Sequence, residues 1–263
     1  MMKKICIYGK GGVGKSTTVA NLAAAFGQMG LKVAVIGCDP KADSTRNIMG
    51  YRIPSILDML HNRDEHAEFA AYGYQNILCI ESGGPQPGTG CAGRGIVVAL
   101  ETIDSHHLLK EIDVAIYDVL GDVVCGGFSA PLRENVADHV YLVTTSDYMS
   151  VYAANNICKG IEKYAKSGSI GLSGLIYNGR SSLNNSLVID AFAEKIGSRV
   201  IGVIPMSPYI SKAEIERKTV IEKYPDEEIS LQIKKLAKAI YENRSKVAPV
   251  PLSDEELEAL YMD

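Results

Sequence analysis

Long apolar runs are missing from this 263-residue chain. None approaches the roughly 18 residues of a membrane span, which excludes a helical membrane protein and any membrane partner that needs one. A large charge excess is missing too. Lys+Arg 27 against Asp+Glu 31 gives a formal charge of -4, which argues against a dedicated nucleic-acid partner. There is no internal repeat and no low-complexity block, and at 46% hydrophobic and 22% charged the composition excludes a disordered or collagen-like chain. The start also lacks a signal-peptide core, because the apolar stretch after Met1-Met2-Lys3-Lys4 is over by Lys10. The expected location is therefore the cytoplasm, where thiols stay reduced. The six cysteines then point to metal or redox chemistry rather than to bridges.

What acidity there is sits at one end. Residues 253–263 carry Asp254, Glu255, Glu256, Glu258 and Asp263 with no base, a charge of -5, so residues 1–252 stand at +1. Ser253 followed by Glu256 forms a capping box, and Leu252 and Leu257 are placed for a hydrophobic staple. A short acidic helix should close the chain, either solvated or packed on a partner subunit.

Elsewhere β-rich runs alternate with helical patterns. Lys4–Tyr8, Val33–Cys38, Ile77–Glu81, Val114–Asp118, Val140–Thr145, Leu172–Tyr177 and Val200–Ile204 read as strands, several apolar at every position and so buried on both faces. Between them lie helical repeats, such as Val19, Leu22, Ala23 and Phe26, or Ile229, Ile233, Leu236 and Ile240. The expected fold is α/β, a mostly parallel β-sheet flanked by helices. No linker splits the chain, so one domain over 1–263 is expected, with 244–263 as its tail. Ser82–Gly95, with six glycines and two prolines in fourteen residues, should be a loop, as should Gly121–Gly127.

The first strand runs directly into Gly9-Lys10-Gly11-Gly12-Val13-Gly14-Lys15-Ser16-Thr17 and then a helix. This is G-x-x-x-x-G-K-[ST] in the strand–loop–helix setting that phosphate binding requires. Glycines let backbone N–H groups converge on phosphate oxygens at the positive end of the helix. Lys15 should reach the β/γ phosphates, and the Ser16 hydroxyl should ligate Mg²⁺. A further lysine, Lys10, lies inside the loop, a deviant Walker A pattern; it suits a phosphate on a facing subunit. Asp118 ends an apolar strand where a Walker-B acid belongs, and Gly121 completes a D-x-x-G spacing that can sense a γ-phosphate. In Cys38-Asp39-Pro40-Lys41-Ala42-Asp43-Ser44, Asp39 and Asp43 follow the second strand as acids for Mg²⁺ contact or water activation.

Cys6, Cys38, Cys79 and Cys158 fall on strands or on an apolar helix face and read as core. Cys91 and Cys125 sit among glycines on loops. Two thiolates are half of a Cys₄ set, which a two-fold dimer would complete around one [4Fe–4S] cluster. A pair 34 residues apart leaves zinc, or no metal, open.

The chain resembles the nitrogenase iron protein family, which includes the nitrogenase-like reductases of tetrapyrroles. The matching stretches are GKGGVGKST from Gly9, GCDPKADSTR from Gly37, ESGGPQPGTGCAGRG from Glu81, YDVLGDVVCGGF from Tyr117 and YAANNICKGIEKYA from Tyr152. The resemblance implies a homodimer with one Mg-ATP per subunit and one [4Fe–4S] cluster per dimer. ATP hydrolysis would gate one-electron transfer to a larger catalytic metalloprotein, the cluster being recharged by a low-potential donor such as ferredoxin or flavodoxin.

By position, the resemblance makes Cys91 and Cys125 the cluster ligands and Lys10 the lysine directed across the dimer. Asp39, Asp43 and Asp122 become the acids tied to Mg²⁺ and water activation. Asn178 becomes an adenine contact and Arg94 a partner-docking arginine. Gly9, Gly11, Gly12, Val13, Gly14, Thr17 and Lys41 complete the nucleotide site. Pro205-Met206-Ser207-Pro208-Tyr209 departs from the family's usual Pro-Arg-Asp and leaves the other base contacts unassigned. The alternatives in view are a tetrapyrrole reductase component, a cluster-assembly ATPase, and a partitioning or positioning ATPase without a cluster.

Overall fold

Runs that are apolar at every position make good strands only when both faces are covered, and here they assemble into one eight-stranded sheet. The computed structural model describes residues 2–62, 69–84, 92–121, 129–132, 136–165, 170–180 and 186–262, without the side chains of Ala92 and Arg94. The strands are β1 (Lys3–Tyr8), β2 (Val33–Gly37), β3 (Ala70–Tyr72), β4 (Leu78–Glu81), β5 (Val114–Asp118), β6 (His139–Thr144), β7 (Gly171–Gly179) and β8 (Val200–Pro205). They lie in the order β3-β4-β2-β5-β1-β6-β7-β8. All neighbours are parallel except β3, which runs antiparallel to β4.

Among the described residues the helices are α1 (Lys15–Gln28), α2 (Arg46–Met49), α3 (Ile56–Asn62), α4 (Ala92–Ser105), α5 (Tyr148–Ala165), α6 (Ser186–Lys195), α7 (Pro208–Ile215), α8 (Val220–Lys223), α9 (Glu228–Glu242) and α10 (Asp254–Ala259). The two-residue period of a strand sorts the core into two layers. Ile5, Ile7, Val33, Val35 and Val114 face α1, α8 and α9. Cys6, Tyr8, Ala34, Ile36 and Ala115 face α4, α5, α6 and α10. Cys6, Cys38, Cys79 and Cys158 are free and fully buried, as a small hydrophobe should be.

The sequence reading passed over β3. Three residues, two of them alanine, are too few to show alternation, and only Tyr72 favours a strand. They become a strand because the outer edge of β4 has backbone groups to pair.

The tail docks on its own chain. The Ser253–Glu256 capping box forms, and Leu252 and Leu257 sink into the core layer under α5. Asn155 of α5 donates to the Leu252 carbonyl and accepts from its N–H, both at 2.8 Å. The Tyr261 hydroxyl donates to the Ser146 carbonyl at 3.0 Å. The acids of this helix face solvent, as the solvated reading expects, while two leucines and a paired asparagine fix its other face to its own chain. Leu257→Ala should therefore cost about 2–5 kcal/mol in denaturant unfolding, against less than about 0.5 for the exposed Glu258→Ala. Equal, small effects would mean that the tail is not docked.

Candidate functional site

Parallel sheets place their ligand sites at the carboxyl ends of the strands, and the motif residues gather there. β1 ends at Tyr8, and α1 opens at Lys15 with Gly14 as its N-cap in the left-handed region (φ 90°). A side chain at Gly14 would also collide with Asn178, whose Nδ2 would lie 2.5 Å from the added carbon. The Asn178 amide donates to the Val13 carbonyl at 2.8 Å, and Arg180 donates to the Gly12 carbonyl at 2.6 Å. The loop is thus held from outside through its carbonyls, and inside it the Val13 N–H donates to the Lys10 carbonyl at 3.2 Å, a turn that leaves glycine N–H groups to meet phosphate.

Lys15 Nζ lies 2.8 Å from Asp118 Oδ1, and both side chains are almost wholly buried. Burial alone would lower the lysine pKa, but the Asp118 charge and hydrogen bond outweigh it and raise it. The other carboxylate oxygen, Oδ2, is buried and has no partner among the described residues. An acceptor left over beside a phosphate cradle suits the water shell of Mg²⁺. Gly121 packs against the loop so closely that an added β-carbon would sit 2.2 Å from the Gly9 carbonyl oxygen. The D-x-x-G segment therefore touches the phosphate loop at its far end as well as through Lys15.

Asp39 begins the turn after β2, its Oδ1 accepting from the N–H of Lys41 at 2.9 Å. Asp43 and Lys41 are exposed further along the same turn. Lys10 stands apart. Its Nζ is 3.8 Å from Asp147 Oδ1 with both side chains half exposed, a contact worth at most about 1 kcal/mol and readily exchanged.

A cavity of about 280 Å³ adjoins Gly14, between Asn178 and Arg180 on one side and Pro205, Met206 and Ser207 on the other. The segment that departs from the family's pattern is thus a wall of this cavity. Ser207 accepts from the Tyr209 N–H and Pro208 is the first residue of α7, a helix start that fixes the wall. Across the cavity floor the Thr17 hydroxyl donates to Glu214. Arg180 and Glu214 belong to no motif, and only the fold brings them here.

Sequence reasoning also passed over Glu81. It ends β4, is 0% exposed, and its Oε1 accepts from both the N–H and the hydroxyl of Thr45 at 2.7 Å. Burial raises its pKa to about 7 against the lowering effect of those two bonds, with the charges of Asp118 and Asp43 adding to the rise. In the sequence it closes the apolar run Ile77-Leu78-Cys79-Ile80 and opens the family-matching stretch from Glu81, but neither assigns it a role.

A model of 4Fe-4S iron sulfur cluster binding proteins, the NifH/frxC family, matches residues 3–263. The chain belongs to the NifH/frxC family. It is similar to the nitrogenase iron protein of Methanococcus voltae, 51% identical with 98% of this chain and 95% of the relative covered. Nitrogenase iron protein 2 of Methanobacterium ivanovii is 50% identical, with 99% of this chain and 98% of the relative covered. Among solved structures, the septum site-determining protein MinD of Pyrococcus horikoshii, complexed with Mg-ADP, superposes with a TM-score of 0.72 at 20% identity over 91% of this chain and 96% of that one. That likeness shows the fold alone. As a NifH/frxC-family protein the chain is an ATP-hydrolysing iron-sulfur redox protein, an ATP-dependent electron donor with a [4Fe–4S] cluster and Mg-ATP as cofactors. The tetrapyrrole-reductase and partitioning readings are not favoured.

Cys91, Asp122, Cys125 and the Arg94 side chain lie outside the described residues. The described neighbours suit a thiolate cluster: α4 begins at Ala92, so the positive end of a 14-residue helix directly follows Cys91. Among the described residues no helix is long and apolar enough to cross a membrane.

The Lys15–Asp118 pair yields a prediction that combines stability with activity. Lys15→Met should abolish ATP hydrolysis and, by stranding a buried carboxylate, cost about 3–5 kcal/mol in unfolding experiments. Adding Asp118→Asn should restore much of the stability and none of the hydrolysis. Additive losses in the double variant would contradict the pairing.

Proposed function

We propose that this NifH/frxC-family chain works as a homodimer that delivers electrons one at a time to a nitrogenase catalytic component. The relatives at about 50% identity over nearly the full length, named nitrogenase iron proteins, support that recipient. Cys91 and Cys125 of each subunit hold the [4Fe–4S] cluster, and Arg94 beside Cys91 meets the catalytic partner. A ferredoxin or flavodoxin is the reductant, the site of action is the cytoplasm, and neither nucleic acid nor membrane takes part. The chain acts as one domain over 1–263, closed by its 244–263 tail.

The observation that carries this reading is the Lys15–Asp118 ion pair, because it joins the phosphate loop to the strand that leads to Cys125. Gly9, Gly11, Gly12 and Gly14 offer N–H groups to the phosphates, joined by Val13 once its N–H leaves the Lys10 carbonyl, while Lys15 moves from Asp118 to the β/γ oxygens. Ser16 and Asp43 hold Mg²⁺, Thr17 lines the cavity beside Gly14, and Asn178 meets the adenine. Lys41 borders the same site. Lys10 leaves Asp147 for a phosphate on the partner subunit, adding positive charge where negative charge gathers in the transition state. Asp39 and Asp122 orient the attacking water and accept its proton. Asp118, released by Lys15, and Gly121, packed on Gly9, then report phosphate occupancy along residues 118–125. The cluster supplies the single transferable electron.

Anaerobically purified protein should be a dimer with about four irons. Cys91→Ala and Cys125→Ala should each lose that iron, while Cys158→Ala, altered in the core, should keep it. Full iron retention in Cys91→Ala would overturn the ligand assignment.

A further inference from the structure

Outside the phosphate cradle, Glu81 is a fully buried carboxylate at this end of the sheet that takes two hydrogen bonds from one residue. In register it lies beside Gly37, and Gly37 lies beside Asp118, so one row across three strands reads carboxylate, glycine, carboxylate. The gap at Gly37 is needed: an added β-carbon would lie 1.9 Å from Glu81 Oε2 and 2.9 Å from the Ser44 side chain. Into that gap Glu81 sends its carboxylate to take both the N–H and the hydroxyl of Thr45. Thr45 stands at the N-cap of α2, where a hydroxyl ordinarily caps its own helix, yet it makes no cap bond there. Its bonding capacity is spent on β4 instead. Burying a carboxylate is costly, and among the described residues this one has no partner for Oε2, nor Ser44 for its Oγ. An apolar residue would fill the site at less cost, so what the acid adds here is the pair of bonds to Thr45.

The clamp joins two segments that also touch elsewhere. The Ser82 N–H and hydroxyl both donate to the Gly37 carbonyl, at 2.8 and 2.7 Å. Gly84 lies flat on Pro40, where a β-carbon would come within 2.3 Å of the proline ring. On the far side of residues 85–91, Gly95 in the first turn of α4 is pressed against Leu57, and the Leu57 N–H donates back to the Ser82 carbonyl at 3.2 Å. Both described flanks of Cys91 thus rest on residues 37–57.

We propose that Glu81 is a positioning residue that couples the two: it ties the 37–45 turn, which carries Asp39 and Asp43, to the flanks of Cys91. A nucleotide that draws in Asp39 and Asp43 moves Thr45, and Thr45 moves the end of β4 and, through Ser82 and Leu57, the start of α4. This route runs on the opposite side of Asp118 from the one through Gly121, so each cluster-ligand segment has its own link to the nucleotide. The inference rests on Cys91 being a cluster ligand, as proposed above.

Hydrogen–deuterium exchange of the intact holo dimer, with and without Mg-ATP, tests it. In the unaltered protein, Mg-ATP should change exchange in residues 37–45 and in α4 together. Glu81→Ala should keep the change at 37–45 and lose most of it in α4. Glu81→Gln, whose amide oxygen can still accept from Thr45, should regain it, which a merely structural defect would not. If Glu81→Ala does not fold, Thr45→Val, lacking only the hydroxyl arm, should show a reduced α4 response. An α4 response in either variant equal to that of the unaltered dimer would overturn the proposal, as would its absence from the unaltered dimer. Iron content on the same samples separates this failure from failure of the Cys91 assignment.

Discussion

The Lys15–Asp118 ion pair is the contact on which the site depends. Two charges are buried together at the carboxyl end of the central strands, each tolerable only because of the other. Asp118 is fixed by β5, and Lys15 by the first turn of α1, so the pair sets how the glycine loop between β1 and α1 lies over the sheet. A bound phosphate offers Lys15 a stronger partner, and the buried carboxylate must then find another. Its Oδ2, unpartnered among the described residues, and the close approach of Gly121 to Gly9 make the 118–121 segment responsive to that exchange.

Sheet geometry explains why the responsive parts lie together. Parallel β4, β2 and β5 end in one row at Glu81, Gly37 and Asp118. The chain leaves these ends toward Cys91, toward Asp39 and Asp43, and toward Cys125 respectively. The acids proposed for the nucleotide and the cysteines proposed for the cluster thus follow, in sequence, adjacent strands about 5 Å apart. Coupling between them needs no long path, only polar ties between neighbouring strand ends. The opposite face and the tail serve stability: α5, α10 and the Asn155–Leu252 bonds close the second core layer away from the phosphates.

Much of this was legible before the fold was known. The apolar stretches inside β1, β2, β5 and β6 are dense in β-branched and aromatic residues, and β1, β2 and β5 close on or run into glycine or aspartate, so their positions follow from the pattern. The phosphate loop is legible because its chemistry restricts both residue type and spacing. Four cysteines read correctly as core because they fall in apolar periods. Other features depend on contacts that no local pattern encodes. β3 exists only because β4 had a free edge. Arg180 and Glu214 reach the site from β7 and α7, far along the chain. Glu81 looks like the end of a strand until Thr45 is seen beside it. The tail reads as solvent-facing by charge, yet its two leucines decide where it lies.

The central claim is that nucleotide binding at Lys15 and Asp118 is felt at the cluster. The most direct measurement is the reduction potential of the cluster in the intact dimer, with and without Mg-ATP. The account predicts that Mg-ATP shifts the potential in the unaltered protein and leaves it nearly unmoved when Asp118 is replaced by Asn. A potential that Mg-ATP does not change in the unaltered dimer, under conditions where binding is saturated, would contradict it.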